Sequence, residues 1–151
     1  MLFRSVKWTG VVHDNDTRGL PSISPMIVLS DRATGLPLAI FDGKWITTHR
    51  TAAITLVGGR YLARKDSETI GFVACGVQAR SHLLTFREHF PLKRAVLYSR
   101  RKETAEAFAK EITGLEVSVT TDARKAVEGM DIVISSVPEG PNLKPFIDPA
   151  W

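Results

Sequence analysis

A glycine-containing turn in the second half of the chain is the clearest candidate for chemistry. The segment Ala74-Cys75-Gly76-Val77-Gln78-Ala79 lies where a predicted strand passes into a predicted helix. In that setting glycine lets the backbone approach a pyrophosphate while the N–H groups of the helix face it. Against the pattern G-x-G-x-x-G/A, Gly76 and Ala79 fit, but Ala74 replaces the first glycine. If this position requires a positive φ, the alanine Cβ costs roughly 1–2 kcal/mol and weakens dinucleotide binding. By itself the motif equally fits a glycine that only permits a tight turn.

The end of the next predicted strand indicates which dinucleotide is preferred. It reads Ser99-Arg100-Arg101-Lys102. A carboxylate at this position would accept a hydrogen bond from the ribose 2′-hydroxyl of NAD, whereas arginine accommodates the 2′-phosphate of NADP. No acid is present, and the three cations precede a predicted helix, whose N-terminal end disfavours positive charge unless an anion is bound. The sequence therefore favours NADPH, and a solvated basic corner is the alternative.

Two cations in the first half are candidates for binding a substrate carboxylate. Arg50 is predicted in the first turn of a long helix, a poor position for a cation unless an anion lies nearby. Arginine binds a carboxylate bidentately, and free N–H groups of the first turn add donors, which suits an amino or imino acid. Pairing of Arg50 with a surface acid is equally consistent with the spacing. Lys7, in the first predicted strand, is the second candidate cation.

The histidines and the single cysteine give no metal or nucleophile motif. The chain has four histidines, none spaced to bind metal together on one helical face, so no metal site is predicted: His13, His49, His82 and His89. We interpret His82 and His89 as surface or satisfied helix residues. The lone Cys75 excludes an internal disulfide, and no base is implied beside it that would make it a nucleophile.

The elements that position these residues differ between the two parts of the chain. The first part predicts an antiparallel meander with turns at Thr34-Gly35 and Asp42-Gly43, from strands at residues 7–12, 26–31, 37–42 and 44–47. A helix is predicted over residues 48–64. Its expected inward residues are Ala52, Ala53, Leu56, Val57 and Leu62. The pair Gly58-Gly59 within it suggests close backbone packing or a bend.

The second part alternates strand and helix, which is typical of a parallel sheet covered by helices. Strands are predicted at residues 70–74, 94–99, 116–120 and 131–137, with helices at 77–90, 103–113 and 121–129. The predicted fold class is therefore α/β. It is a partial Rossmann-type doubly wound sheet, preceded by part of a β-rich substrate and dimerisation domain and a long helix. We predict domains at residues 1–66 and 67–151, joined by the polar segment Asp66-Ser67-Glu68.

Several segments, in this order and spacing, carry a family resemblance that covers essentially the whole chain. They are Ser5-Val6-Lys7-Trp8, Gly19-Leu20-Pro21, Val28-Leu29-Ser30-Asp31, Thr34-Gly35-Leu36-Pro37-Leu38-Ala39-Ile40, Ile46-Thr47, Arg50-Thr51-Ala52-Ala53 and Gly76-Val77-Gln78-Ala79-Arg80. The sequence resembles the middle of the ornithine cyclodeaminase and mu-crystallin family. That resemblance implies a homodimer that transfers hydride to or from C2 of an amino or imino acid with NAD(P).

The resemblance also implies roles for individual residues. Lys7 and Arg50 match substrate-carboxylate residues, and Thr51 matches a residue beside the cofactor. The remaining matches are to the cofactor: Gly76, Val77 and Gln78 at the pyrophosphate, Ser99, Arg100 and Arg101 at the adenosine ribose or its phosphate, and Ser135, Ser136 and Val137 beside the nicotinamide. The family's catalytic aspartate has no counterpart in this chain, so the catalytic residue is unknown. We therefore expect a truncated piece that is inactive alone and exposes sheet edges.

Three activities remain open for the complete protein. It could convert ornithine to proline and ammonia, or act as a ketimine reductase or amino acid dehydrogenase. The alternative is a non-catalytic, crystallin-like NADPH-binding protein or an inactive truncated fragment, with which Ala74 and the missing aspartate agree.

Composition excludes some other classes of protein. The chain has 151 residues, a formal net charge of +4 and 24% charged residues. Its cations mostly alternate with acids instead of forming the basic stripe of a nucleic-acid-binding protein. No apolar run approaches the ~20 residues that span a bilayer, and the start does not resemble a signal peptide. We expect a cytoplasmic protein with no nucleic-acid or membrane partner.

Overall fold

The computed structural model describes residues 3–137, 147 and 148. The chain divides between Arg50 and Thr51 into two compact units. This division falls inside a helix, whereas the domain boundary predicted from sequence lies at Asp66. The predicted boundary separates a substrate-binding domain from a cofactor-binding domain. A division by compactness does not test it, so it stays a prediction.

The first unit contains a three-stranded antiparallel sheet. Its strands are β1 (Phe3–Val11), β2 (Ile23–Asp31) and β3 (Pro37–Asp42), in the order β1-β2-β3. A 3-10 helix, His13–Arg18, joins β1 to β2. The turn into β3 is stabilised by Asp31, whose Oδ1 accepts hydrogen bonds from the N–H groups of Ala33 and Thr34, while Gly35 adopts φ +74°. Three of the four strands predicted for the antiparallel meander are confirmed.

The fourth strand predicted in this region, at residues 44–47, is wrong. Helix α1 (Lys44–Leu62) begins there instead. Asp42 Oδ1 accepts a hydrogen bond from the N–H of Lys44 at 2.6 Å, so the carboxylate supports a helix start and overrides the β-favouring residues that follow. Gly43 is not among the positive-φ glycines of the described residues, so Asp42-Gly43 is not the predicted hairpin turn. A Cβ on Gly43 would lie 3.1 Å from the Cβ of Pro25, so the backbone of Gly43 packs closely against β2.

Helix α1 buries a narrower stripe than predicted. Ala52 and Leu56 are buried, whereas Val57 and Leu62 are 59% and 89% exposed and Ala53 is exposed as well. Of the five residues that were predicted to face inward, two are buried and the prediction is wrong for the other three. The packed stripe continues at Gly59, where a Cβ would lie 3.0 Å from the ring of Phe86. The close backbone packing suggested by the glycine pair is confirmed at Gly59.

The second unit contains a four-stranded parallel sheet. It is formed by β4 (Thr69–Val73), β5 (Arg94–Tyr98), β6 (Glu116–Thr120) and β7 (Ile132–Ser135), in the order β6-β5-β4-β7. Helices α2 (Val77–Arg87) and α3 (Lys102–Glu111) connect the first three strands. The chain runs outward from β4 to β6 and then returns to pair β7 with the other side of β4. This reversal confirms the predicted doubly wound α/β sheet.

Apolar side chains cover both faces of this sheet. One buried cluster contains Phe72, Leu83, Phe86, Leu97 and Phe108 among its members. The cluster on the other face contains Val73, Val96, Ala126 and Val127. Each fully buried Val, Leu or Phe side chain contributes about 1.5–3 kcal/mol, so the two clusters stabilise the sheet that carries the turns at its carboxyl edge.

The third helix predicted in this unit, over residues 121–129, is wrong. Only a 3-10 turn, Arg124–Ala126, is present. The connection lies directly on β4, because a Cβ at Gly71 would be only 1.8 Å from the carbonyl oxygen of Ala126. The left-handed residue Gly129 (φ +70°) then returns the chain toward β7. Among the described residues, no helix is long and apolar enough to cross a membrane.

Candidate functional site

The turn between β4 and α2 has two features that bear on dinucleotide binding. Ala74 has a φ of +78°, so the condition under which its Cβ is strained is met. Gly76 is the N-cap residue of α2 and makes no side-chain cap bond. A Cβ built on Gly76 would meet nothing within 4 Å, so open space borders the backbone there. The first N–H groups of α2 are therefore available to an anion.

The parallel sheet brings three sequence-predicted segments to one edge. The N–H of Ala74 donates to the carbonyl oxygen of Tyr98 at 2.9 Å, which places the start of the glycine turn beside the residue before Ser99. On the other side of β4, Val73 pairs with Ser135, and the N–H of Ser136 donates to the carbonyl oxygen of Val73 at 3.0 Å. The turn lies between the other two segments, where the strand order reverses. Ligands of doubly wound sheets bind at this type of crevice.

Two buried polar atoms in these segments have no hydrogen-bond partner within the described part of the chain. They are Gln78 Oε1, in the first turn of α2, and Ser136 Oγ, just after β7. A buried polar atom without a partner costs free energy, and a bound ligand can supply the missing partner. Both residues were predicted to contact the cofactor. The orphaned atoms and the space at Gly76 fit a dinucleotide.

The basic segment after β5 is exposed. Arg100 and Arg101 lie on the surface at the start of α3, and Arg101 is its N-cap residue, without a side-chain cap bond. Ser99 is half-buried. Lys102 makes a 3.0 Å ion pair with Glu106, one turn along the helix. Lys102 therefore has an acidic neighbour on α3, and the phosphate-binding roles of Ser99, Arg100, Arg101 and Lys102 stay predictions.

Cys75 is a structural residue of the turn. It is 1% exposed, and its Sγ–H donates to the carbonyl oxygen of Tyr98 at 3.3 Å. Burial raises the pKa of the Cys75 thiol to about 11, so the thiolate needed for nucleophilic attack is scarce near neutral pH.

His82 links the first turn of α2 to α1. It is buried, with Nδ1 2.7 Å from the carbonyl oxygen of Gln78 and Nε2 3.0 Å from Thr55 Oγ1. The Thr55 hydroxyl in turn lies 3.0 Å from the carbonyl oxygen of Thr51. The interpretation of His82 as a satisfied helix residue agrees with these contacts. No cluster of His, Cys, Asp and Glu that could hold a metal is found within the described ranges.

The candidate substrate residues lie in the first unit. Lys7 is half-buried on β1, and its Nζ donates to Thr47 Oγ1 at 3.0 Å. Arg50 is exposed and is the seventh residue of α1, because the helix begins at Lys44. It is therefore not in the first turn, and the argument that the helix dipole calls for an anion at Arg50 is wrong. Thr51, the first residue of the second unit, is half-buried. The carboxylate-binding roles of Lys7 and Arg50 stay predictions.

Sequence reasoning assigned no role to Arg80, which the structure places against the glycine turn. Its Nη1 donates to the carbonyl oxygens of Cys75 and Gly76 at 2.8 and 3.2 Å. The sequence did offer one signal of such a role, because Arg80 is a cation in the first turn of a helix that lacks a side-chain cap. Its partners were not visible from sequence, because Glu111 lies 31 residues away.

Comparison with known proteins shows where this arrangement occurs. The chain is 35% identical over 123 residues to the ketimine reductase mu-crystallin of Rattus norvegicus, covering 82% of this chain and 38% of that protein. Its structure matches Thermococcus litoralis Delta(1)-pyrroline-2-carboxylate reductase in complex with NADH and L-proline. The TM-score is 0.82 and the identity 39%, over 87% of this chain and 42% of the other. An archaeal alanine dehydrogenase dimer with bound NAD matches with a TM-score of 0.83 and 32% identity, over 90% and 42%.

The length and the names of the matched proteins both bear on this chain. The chain spans less than half the length of the curated relatives it matches. Three of the matched proteins are an alanine dehydrogenase and two reductases, one of a ketimine and one of Delta(1)-pyrroline-2-carboxylate. Residues 2–151 match the profile of a single family along the whole of that range. The chain therefore belongs to the ornithine cyclodeaminase/mu-crystallin family.

Proposed function

We propose that this chain forms the dinucleotide-binding part, and a portion of the substrate-binding part, of an NAD(P)-dependent enzyme that acts on a small amino or imino acid. The observation that carries the proposal is the meeting of three segments at the carboxyl edge of the parallel sheet. These are the turn at Gly76, the basic segment after Tyr98 and the segment after β7, with Gln78 Oε1 and Ser136 Oγ unpartnered among the described residues. Family membership supports the reaction class.

The residues of the turn bind the pyrophosphate in this proposal. The N–H groups of Gly76, Val77 and Gln78 serve this role because the N-terminal end of α2 has no side-chain cap. Ser135, Ser136 and Val137 line the nicotinamide side, where the Ser136 hydroxyl gains a partner, and Thr51 borders the cofactor from α1. When bound, the reduced nicotinamide supplies a hydride to C2 of an imino acid, or its oxidised form accepts one from an amino acid.

Lys7 and Arg50 bind the substrate carboxylate in the same proposal. The hydrogen bond to Thr47 holds the Lys7 ammonium, and a planar guanidinium such as that of Arg50 pairs bidentately with a carboxylate. Arg50→Gln in the full-length gene product is expected to raise KM for the imino acid while the Kd for the cofactor stays unchanged. Arg60→Gln, an exposed change on the same helix, is the control. Equal KM values in both variants would contradict the role of Arg50.

Arg100 and Arg101 select NADPH over NADH in this proposal. The variants Arg100→Gln and Arg101→Gln are expected to weaken binding of NADPH and to leave binding of NADH nearly unchanged, since only NADPH carries the 2′-phosphate. Lys110→Gln, at the other end of α3, provides a control for the loss of one positive charge. Fluorescence titration measures both affinities. An unchanged ratio of the two Kd values would contradict the assignment.

Turnover measurements distinguish the possible reactions. A reductase oxidises one NADPH for each imino acid reduced, whereas a cyclodeaminase releases ammonia without net cofactor consumption. Absorbance at the nicotinamide band, recorded with an ammonia assay and with Δ1-pyrroline-2-carboxylate or ornithine as substrate, separates the two. Absence of both signals from full-length protein that binds NADPH would contradict reduction of Δ1-pyrroline-2-carboxylate and cyclodeamination of ornithine as its activities.

A non-catalytic NADPH-binding protein is the second candidate. The left-handed Ala74 agrees with this candidate because it departs from the glycine that an efficient cofactor turn uses, and the strain lowers the affinity for NADPH without abolishing it. Under this candidate the full-length protein binds NADPH, and no amino or imino acid changes the nicotinamide absorbance. We also propose a homodimer, by likeness to the archaeal alanine dehydrogenase dimer, and sedimentation of the full-length protein tests it.

A further inference from the structure

Arg80 occupies a position that is unfavourable for a cation in electrostatic terms. It is the fourth residue of α2, in the positive first turn of the helix. The side chain turns back toward β4 and donates from Nη1 to the carbonyl oxygens of Cys75 (2.8 Å) and Gly76 (3.2 Å). These two carbonyls belong to the turn that joins the central strand to the helix.

The guanidinium of Arg80 is fixed by groups on α3. Its Nε and Nη2 donate to the two carboxylate oxygens of Glu111, each at 2.7 Å. It also lies over the ring of Phe108, with its Cζ 4.9 Å from the ring centroid, and Phe108 is itself buried. A bidentate pair with a stacked ring leaves the guanidinium little rotational freedom. Arg80 therefore connects the turn to α3 by a rigid bridge.

Fixing the carbonyl groups also fixes the direction of the N–H groups that follow them. In a planar trans peptide the C=O and the next N–H point in opposite directions, and no cis peptide occurs in the described residues. Holding the carbonyl of Cys75 toward Arg80 therefore directs the N–H of Gly76 away from it. The carbonyl of Gly76 accepts both this guanidinium and the backbone N–H of Arg80 (3.4 Å), and together they direct the N–H of Val77 in the same way.

We propose that Arg80, held by Glu111, is a positioning residue that keeps the N–H groups of Gly76 and Val77 directed at the cofactor pyrophosphate. This inference rests on the proposed function. The bridge also holds a turn that the left-handed Ala74 strains, and such conformations persist only where their surroundings over-determine them. Arg80 acts through the backbone and needs no contact with the ligand.

Glu111→Gln distinguishes positioning from simple charge. The change removes a negative charge near an anion site, so an effect of charge alone would tighten NADPH binding. Positioning predicts the opposite, because Arg80 loses its anchor, and we expect several-fold weaker binding. Arg80→Lys keeps the charge but cannot hold both carbonyls and Glu111 at once. We expect it to weaken NADPH binding about tenfold, the scale of one lost charge-assisted hydrogen bond.

A ligand without a pyrophosphate separates positioning from general damage to the fold. Adenosine 2′-phosphate is expected to bind the wild-type protein and both variants with equal affinity. Two single variants, Lys93→Gln and Glu68→Gln, serve as controls. Each breaks the same surface ion pair at the opposite edge of the sheet. Neither should change any affinity.

Each outcome decides the inference. Weaker NADPH binding with unchanged adenosine 2′-phosphate binding supports it. Tighter or unchanged NADPH binding in Glu111→Gln overturns it while leaving the proposed function intact, and so does a parallel loss of affinity for both ligands. If the wild-type protein binds no NADPH, the proposed function falls and this inference with it.

Discussion

Replacing Ala74 with glycine should stabilise the protein, which is unusual for a change that removes a side chain. Ala74 has a φ of +78°. In this region the Cβ of an L-residue approaches the following carbonyl, at a cost of roughly 1–2 kcal/mol. Glycine removes that cost. Glycine is also the usual residue at the first position of the dinucleotide motif, so Ala74→Gly restores that motif.

Two opposing effects reduce the gain from Ala74→Gly. The unfolded chain gains conformational freedom with glycine, which offsets about 0.4–1 kcal/mol. The methyl group of Ala74 is half-buried, so its loss removes up to about 0.4 kcal/mol, half the value of a buried CH₂. The expected net increase in the free energy of unfolding is about 0.5 kcal/mol. NADPH should also bind more tightly to the relaxed turn.

Ala53→Gly is a matched control with the same chemical change. Ala53 is exposed within α1, where glycine lowers stability by about 1 kcal/mol relative to alanine. Urea unfolding of the two variants should therefore separate them by about 1.5 kcal/mol, with Ala74→Gly the more stable. If Ala74→Gly were destabilised as much as Ala53→Gly, the left-handed conformation at Ala74 would be refuted.

Three further predictions concern the second unit. Gly71→Ala should abolish folding, because its Cβ would overlap the carbonyl of Ala126, whereas Gly58→Ala, with open space around it, should be tolerated; circular dichroism compares the two. Asp131 accepts hydrogen bonds from the backbone N–H groups of Glu68 and Thr69, which lower its pKa below the ordinary 3.8. Its stabilising contribution is present above that value and is lost as pH falls toward the lowered pKa, so Asp131→Asn should flatten the acid limb of a stability curve. Cys75 should react with a thiol reagent at neutral pH only when the protein unfolds, because its pKa is about 11; a rapid reaction of the folded protein would contradict its burial.

The parallel sheet could be predicted from sequence because its strands are short runs rich in β-favouring residues that alternate with helical segments. Strand 116–120 was predicted with the bounds that the structure has. The start of α1 was missed because the β preference of Trp45 and Ile46 was weighed without the hydrogen bond from the Lys44 N–H to Asp42, which supports a helix start. That error displaced the helix start by four residues and placed Arg50 in the wrong turn.

The site was predictable where it depends on local backbone and not where it depends on distant contacts. Gly76 and the conditional strain at Ala74 follow from the spacing of one turn. The role of Arg80 depends on Glu111 and Phe108, which only the packing of α3 brings to the turn. Likewise, the 3-10 connection on β4 follows from the contact between Gly71 and Ala126, which no local pattern indicates.

A crystal structure of the full-length protein with NADPH tests the central claim most directly. The account predicts the pyrophosphate within hydrogen-bonding distance of the backbone nitrogens of Gly76 and Val77, with Arg80 still bound to the carbonyls of Cys75 and Gly76. A cofactor bound elsewhere on the molecule, or a turn at Gly76 closed by its own side chains, would contradict it.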